Sequence, residues 1–266
     1  MGGQGGWTGT LLMLTEATTH GTLLGGRVSY RQFRDGYRTG IEPVLLAATV
    51  QARLGARVIE AGCGAGAGLL CLASRVPGVS GTGIEQDPAT AALARCNLDE
   101  NGLADWPVLV AAVEDPAIPM LVEAMPRFDH AIANPPWHRN NASMSPSPRR
   151  DLARRAPEGA LAGWTASLVR LLRDGGTLTM ILPAALHAKA AASMTECGLG
   201  TIRLLPLWPL AGRPARIVLV QGTVGGHGDG VVLPGLVLHR PGGGYTEAAE
   251  AILRSGDALP MDLNAW

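Results

Sequence analysis

The chain has 266 residues, 47% of them apolar and 17% charged, which is enough for one large α/β core or two small ones. Charge is low, but the composition is not that of a disordered chain. Formal net charge is zero, so a nucleic-acid partner must be argued from a local patch and not from whole-chain electrostatics.

Cys63, Cys71, Cys96 and Cys197 form no CxxC pair and stand beside no His at metal spacing. That argues against a zinc site or a disulfide framework and fits a reducing compartment. Leu11-Leu12-Met13-Leu14 is too short to span a bilayer and follows no basic residue. Neither a leader peptide nor a membrane helix is therefore expected, and the default location is cytoplasmic.

In chain order, Leu23-Leu24-Gly25-Gly26-Arg27-Val28-Ser29-Tyr30 reads as a turn feeding a short strand, and the glycines of residues 34–40 as a loop. Glu42-Pro43-Val44 opens a helix with Pro43 near its first position. From Arg57 strands and helices alternate: strand 57–60, helix 68–74, strand 79–85, helix 88–101, strand 108–113, a weak helix 118–125 and strand 128–133. A helix at 158–172, closed by Asp174-Gly175-Gly176, a strand at 177–182 and a helix at 184–197 follow.

Such alternation predicts a parallel sheet with helices on both faces. Stretches 201–207 and 216–221 are close enough in sequence to pair only antiparallel. A tail follows with a strand at 231–239, a turn at Gly242-Gly243-Gly244 and a helix at 246–253. The expectation is one domain with a seven-stranded, mostly parallel, Rossmann-like sheet. Residues 1–50 form an extension, 51–222 the core and 223–266 the tail.

Glu60-Ala61-Gly62-Cys63-Gly64-Ala65-Gly66 follows the first strand of this series and opens a helix. Its glycines permit a tight turn and a close backbone approach by a ligand. Glu85 ends the next strand about twenty residues on, where an acid can hold ribose hydroxyls. Asp115 follows the third strand, where a carboxylate or an amide can meet an adenine edge.

A dinucleotide site has a similar layout and tolerates Ala67 at its last glycine position. An acid before the glycines suits a methionine-type ammonium, which favours S-adenosylmethionine. As structural features alone, Glu60 is a charge at a helix start and Glu85 a solvated strand-end acid.

Asn134-Pro135-Pro136-Trp137 follows the strand at 128–133. Two prolines stiffen the segment and remove backbone donors, leaving carbonyls free to accept. The Asn134 side-chain oxygen and the Pro135 carbonyl can accept both N–H groups of a planar amine. Drawing the nitrogen towards tetrahedral geometry frees its lone pair, and Trp137 can stack on the target plane. A rigid surface turn with a packed Trp is the bland alternative.

Beyond it, His138 can touch a phosphate or a base or stand as a plain exposed His, and Arg139, Arg149, Arg150, Arg154 and Arg155 make a locally basic segment against a single Asp151. The segment suits phosphate contacts or, equally, a solvated arginine face. Residues 140–155 form the one long polar loop, in the position of a lid. Trp164, Trp208 and Tyr245 read as packing residues and Lys189 as surface.

Leu24-Gly25-Gly26-Arg27-Val28, Asp35-Gly36-Tyr37-Arg38-Thr39-Gly40, the Glu60–Gly64 turn and Asn134–Arg139 together resemble the bacterial tRNA (adenine-N6) methyltransferase-like family. Leu205-Pro206-Leu207-Trp208-Pro209 and Pro234-Gly235-Leu236-Val237-Leu238-His239 extend the likeness over nearly the whole chain after Thr15.

The resemblance implies modification of an anticodon-loop adenosine in valine tRNA, and places Tyr37, Arg38 and Gly40 beside the methionine end of the cofactor. Two departures are visible: Trp137 stands for the usual Tyr, and Gly40-Ile41-Glu42-Pro43 for Gly-Thr/Ile-Asp-Ala.

Two other functions use the same residues. Protein glutamine methyltransferases share the tetrapeptide but carry a helical N-terminal domain, where this chain shows one strand and one helix. A non-catalytic cofactor- and RNA-binding protein would not need the intact Asn134 and both prolines. Monomer and homodimer are both left open.

Overall fold

The computed structural model describes residues 17–35, 38–123, 125–139, 155–156 and 159–265. It opens on a hairpin that the sequence reading half missed. Strands β1 (Thr18–Leu23) and β2 (Val28–Phe33) pair antiparallel from Thr18 with Phe33 to Leu23 with Val28. Alternation in β1 is weak because its middle is exposed, so the strand leaves no periodic signal.

Helix α1 (Glu42–Ala48) follows, then β3 (Arg57–Ala61), α2 (Ala67–Arg75), β4 (Ser80–Glu85) and α3 (Pro88–Glu100). The Asp87 carboxylate caps α3 by accepting from Thr90 N, with Pro88 in the first turn. Strand β5 (Val108–Val110), the single turn α4 (Ile118–Leu121), β6 (Phe128–Ala133) and the short parallel pair β7 (His138–Arg139) and β8 (Arg155–Ala156) come next. The chain continues through α5 (Ala160–Val169), β9 (Leu172–Pro183), α6 (His187–Glu196), β10 (Leu199–Trp208) and β11 (Ile217–Val224). Two-residue strands β12 (Val231–Val232) and β13 (Leu236–Val237) and helix α7 (Glu247–Glu250) close it.

Among the described residues the main sheet has nine strands in the order β12-β10-β11-β9-β6-β3-β4-β5, with β13 also on β10. Strand β11 runs antiparallel to both neighbours, and every other pairing in this sheet is parallel. The expected count of seven is corrected to nine because the tail adds β12 and β13 to the free edge of β10.

The single strand expected at 231–239 is split at Pro234 and Gly235. Proline has no N–H for the ladder, and Gly235 takes a φ of 85°. Asp174-Gly175-Gly176 does not close a helix. It lies inside β9, where the register with β6 shifts between Phe128 and His130, and Gly175 at φ 71° relieves the bulge.

Side chains alternate through the sheet into two cores. Val58, Ile132 and Ile181 pack with Leu45, Leu46, Leu69 and Leu72 of α1 and α2. Ile59, Ala131, Ala133 and Met180 pack with Trp164 and Leu168 of α5 and Met194 of α6. Apolar residues on both faces are what a sheet sandwiched between helix layers requires. All parallel strands deliver their carboxyl ends, and the loops after them, to one edge.

Candidate active site

A cleft of about 770 Å³ opens at that edge. Its wall includes the glycine turn after β3, Glu85 after β4, the loop after β5, Asn134-Pro135-Pro136-Trp137 after β6, the end of β9 and the Arg38–Pro43 approach to α1. The glycine turn and the double-proline corner, far apart in sequence, therefore face one space. Asn134 is half-buried, Pro135 buried and Trp137 46% exposed, so the corner is open to a visiting group and not sealed by packing.

Gly62 and Gly64 turn the chain with φ of 64° and 55°. A Cβ on Gly62 would stand 2.8 Å from the Trp164 ring, whereas one on Gly64 would meet nothing within 4 Å. One glycine thus admits an indole from α5, and the other leaves the turn bare on the cleft side.

Glu60 is 4% exposed, and its Oε2 accepts from Leu69 N at 2.9 Å. Burial pushes this carboxyl up to about 8, opposed by the Leu69 N–H and reinforced by Glu85. Glu85 is raised too, chiefly by burial, although Asp87 N and Gly64 N donate to it at 2.9 and 3.0 Å. The Cys63 thiol, also on the wall, is pushed well above its ordinary value by burial first and then by Glu60 and Glu85. At neutral pH it is no nucleophile.

Not every residue singled out in sequence reaches the cleft. Asp115 does not line it: its Oδ1 accepts from Ala117 N at 2.8 Å, and the preceding Glu114 lines the wall instead. Gly66 is off the wall as well, and serves as the left-handed N-cap of α2. Arg38 and Gly40 do line it, and Arg38 Nη1 donates to Thr19 Oγ1 at 3.0 Å.

Tyr37, Arg149, Arg150 and Arg154 lie outside the described residues, as does most of the long loop. For His138 and Arg139 only the backbone is described, paired with Arg155 and Ala156.

One wall residue carried no site signal in sequence. Trp164 lies on the wall beside Gly62, and it reads as core because an indole at helical spacing normally is. Glu42, which stands where the resembled family has Asp, lines the wall with its Oε2 buried and without a hydrogen-bond partner.

S-adenosylmethionine needs an acceptor for a cation, an acceptor for two hydroxyls and a slot for a flat ring. Buried Glu60 and the orphaned Glu42 oxygen fit the first, Glu85 the second, and Ala111, Val113 and Trp164 an apolar ring. Among the described residues no group of three His, Cys, Asp or Glu could hold a metal ion, and no helix is long and apolar enough to cross a membrane.

Fold, cleft and acids define the class: an S-adenosylmethionine-dependent methyltransferase. Residues 41–202 match the methyltransferase small domain family, and the chain belongs to it.

Curated relatives include two proteins named tRNA1(Val) (adenine(37)-N6)-methyltransferase. The one from Pasteurella multocida is 27% identical over 161 residues, 58% of this chain and 66% of that protein. The one from Yersinia pestis is 29% identical over 168 residues, 60% of this chain and 66% of that protein. The chain thus spans just under two thirds of the length of the curated relatives it matches.

Among solved structures, a predicted O-methyltransferase of Agrobacterium tumefaciens superposes with a TM-score of 0.68 at 23% identity, covering 82% of this chain and 98% of that one. The T. thermophilus 16S rRNA N2 G1207 methyltransferase, solved with AdoMet and guanosine, gives 0.52 at 18% identity, covering 78% and 50%. At these identities both show the fold alone.

Proposed function

We propose that the chain methylates the exocyclic N6 of adenine in RNA, with tRNA as the substrate class. The observation that carries this reading is the sharing of one cleft by the glycine turn and Asn134-Pro135-Pro136-Trp137. S-adenosylmethionine, when bound, supplies a methyl group already activated by its sulfonium. Glu60 and Glu85 hold that donor. Asn134 Oδ1 and the Pro135 carbonyl accept the two N–H groups of the target amine and loosen its conjugation with the ring. Trp137, half exposed at the cleft mouth, offers a stacking face worth about 1–3 kcal/mol per base.

Alignment with an activated methyl leaves no need for a general base before the nitrogen attacks. A base in an RNA loop is already unstacked, so no separate base-flipping domain is required. The names of the curated relatives support RNA over protein as substrate.

The test is incubation with a labelled methyl donor and separate pools of tRNA, ribosomal RNA, DNA and protein, followed by nucleoside and amino-acid mass analysis. N6-methyladenosine from tRNA is the expected product. Methylglutamine, or label in every pool except tRNA, refutes the reading.

A further inference from the structure

The carboxyl edge of the sheet carries its charges in two separate groups. At and beyond the ends of β4 and β5 stand Glu85, Asp87, Glu114 and Asp115. Beyond β9, β10 and β13 the sign reverses. Three segments meet there: 183–189 after β9, 208–217 joining β10 to β11, and 238–246 after β13. They contain Lys189, Arg213, Arg216 and Arg240 and no acid; the next acid along the chain is Glu247, at the start of α7. All four cations are exposed, and among the described residues none pairs with a carboxylate. In a chain of zero net charge this rim is a local positive field.

The motifs at 205–209 and 234–239, which the methyl-transfer chemistry leaves unused, build the rim. Trp208 Nε1 donates to Pro234 O at 3.1 Å, and Leu238 N and His239 N donate to Trp208 O and Pro209 O at 2.8 and 3.2 Å. A Cβ on Gly235 would overlap Pro206 O and the Trp208 ring nitrogen, so the clasp needs glycine there. The His239 and Tyr245 rings stack at 5.0 Å, and Arg240 N closes the turn between them on Gly244 O at 3.0 Å. On the other flank Ala184 N donates to Arg216 O at 2.8 Å. The tail is thus fixed where its arginine stands alongside the two of the β10–β11 loop. A merely solvated arginine face gains nothing from being held in this way.

The rim adjoins the reacting corner. Pro183 and Ile217, next to Ala184 and Arg216, lie on the cleft wall together with Asn134 and Trp137. In the order of the sheet Arg216 stands two strands from β6 and Arg240 four. At about 4.8 Å per strand the rim runs from about 10 to about 20 Å from the corner, a reach of a few nucleotides. Resting on the RNA reading above, we propose that this rim is the docking surface for the sugar-phosphate backbone that flanks the target base. Arg213, Arg216 and Arg240 contact phosphates and set the direction of the strand, while the cleft takes the base. The acids beyond β4 and β5 repel a strand laid the other way.

The test is fluorescence anisotropy of labelled tRNA at several salt concentrations, with S-adenosylhomocysteine present. Arg213→Gln with Arg240→Gln removes one cation from the loop and one from the tail. Arg53→Gln with Arg170→Gln removes two exposed cations from the amino edge and controls for total charge. The rim pair is expected to bind tRNA about tenfold more weakly near about 0.15 M salt, and to reduce the slope of log affinity against log salt by about 1.4, at about 0.7 per phosphate contact. The control pair is expected to stay within about twofold, and both to keep wild-type melting and S-adenosylhomocysteine affinity. Where the Arg240 change loosens the tail and lowers melting, Arg213→Gln with Arg216→Gln carries the same expectation.

Equal weakening by rim and control pairs overturns the proposal and leaves the RNA reading standing. So does an unchanged slope in the rim pair. Wild-type protein that binds no RNA sinks that reading itself, and the rim with it.

Discussion

The two ends of the sheet treat charge in opposite ways. At the amino ends of β6 and β9, Asp129 accepts from Arg57 N at 2.8 Å and pairs with Arg173 at 2.7 Å. Partial burial alone would raise its carboxyl, but the Arg57 N–H and Arg173 together hold it below the usual carboxylate value. The Arg57 guanidinium also lies 4.6 Å from the Phe128 ring centre.

At the carboxyl ends, Glu60 and Glu85 are both raised because burial outweighs the N–H groups they meet, and Glu42 holds an orphaned oxygen. At one end the protein pairs its own carboxylate. The other gathers three acids on one cleft wall, two of them pushed towards the neutral form by burial, and that contrast separates a paired end from one open to a ligand.

Asn134→Ala gives the largest expected effect on the functional end. Methyl transfer is expected to fall about a hundredfold or more, while S-adenosylhomocysteine binding stays within about twofold. Calorimetry beside a labelled-methyl assay reads both numbers. Lost binding with surviving transfer would reverse the roles assigned to the two halves of the cleft.

Next in size are the two asparagines of α3. Asn97 Nδ2 donates to Arg31 O and to Ala65 O, both at 2.9 Å, and its Oδ1 accepts from Arg31 N at 2.9 Å. Asn101 makes the matching bonds to Ser29 N and O at 3.1 and 2.9 Å, and its remaining bond goes to Asn97 O at 2.7 Å. Their carboxamides imitate a neighbouring strand for β2. Asn97→Ala is expected to cost about 1–3 kcal/mol of stability and to weaken donor binding several-fold, because Ala65 loses its anchor. Asn101→Ala is expected to lower melting temperature with donor affinity unchanged. Equal effects of the two on affinity would remove Asn97 from the donor site.

On the paired end, Asp129→Asn is expected to cost about 1–2 kcal/mol in denaturant unfolding without changing turnover per folded molecule. A fall in turnover at equal stability would blur the contrast between the ends.

The smallest effect is a pH signature. The folded state raises Glu60 from the model-compound value of 4.5 to about 8. Its contribution to stability is therefore complete below about pH 4.5 and is lost as pH rises through 8. Arrival of the donor ammonium favours the ionised form, so donor binding between those limits is expected to release a proton. Binding enthalpies measured in buffers of different ionisation heat detect it, and Glu60→Gln is expected to abolish it. A buffer-independent enthalpy in the wild type counts against a buried neutral Glu60.

Much of the core was legible because its signals are local. Apolar β6 lies between polar turns and came out at Phe128–Ala133, residue for residue. Pro88 marked the start of α3, and Glu60, Gly62, Gly64 and Glu85, singled out by their places at strand ends, line one cleft. Where the reading failed, the deciding partner was distant. Strand β1 is half exposed and exists through its pairing with β2. Strands β12 and β13 are each two residues long and have strand character only because β10 offers an open edge. Asp115 and Glu114 are adjacent, and only the course of the loop after β5 decides which one faces the cleft.

By itself the sequence determined the alternation of strand and helix, the identity of the acids and glycines, and a stiff Asn-Pro-Pro-Trp corner. Backbone propensity and side-chain chemistry are properties of a few neighbouring residues and need no fold to be read. Tertiary structure alone decided that Trp164 would lie against Gly62, that Glu42 would lose water without gaining a partner, and that acids spread from Glu42 to Glu85 would share one cleft. Burial and uncompensated charge depend on what surrounds a group in space, and no stretch of sequence carries that information.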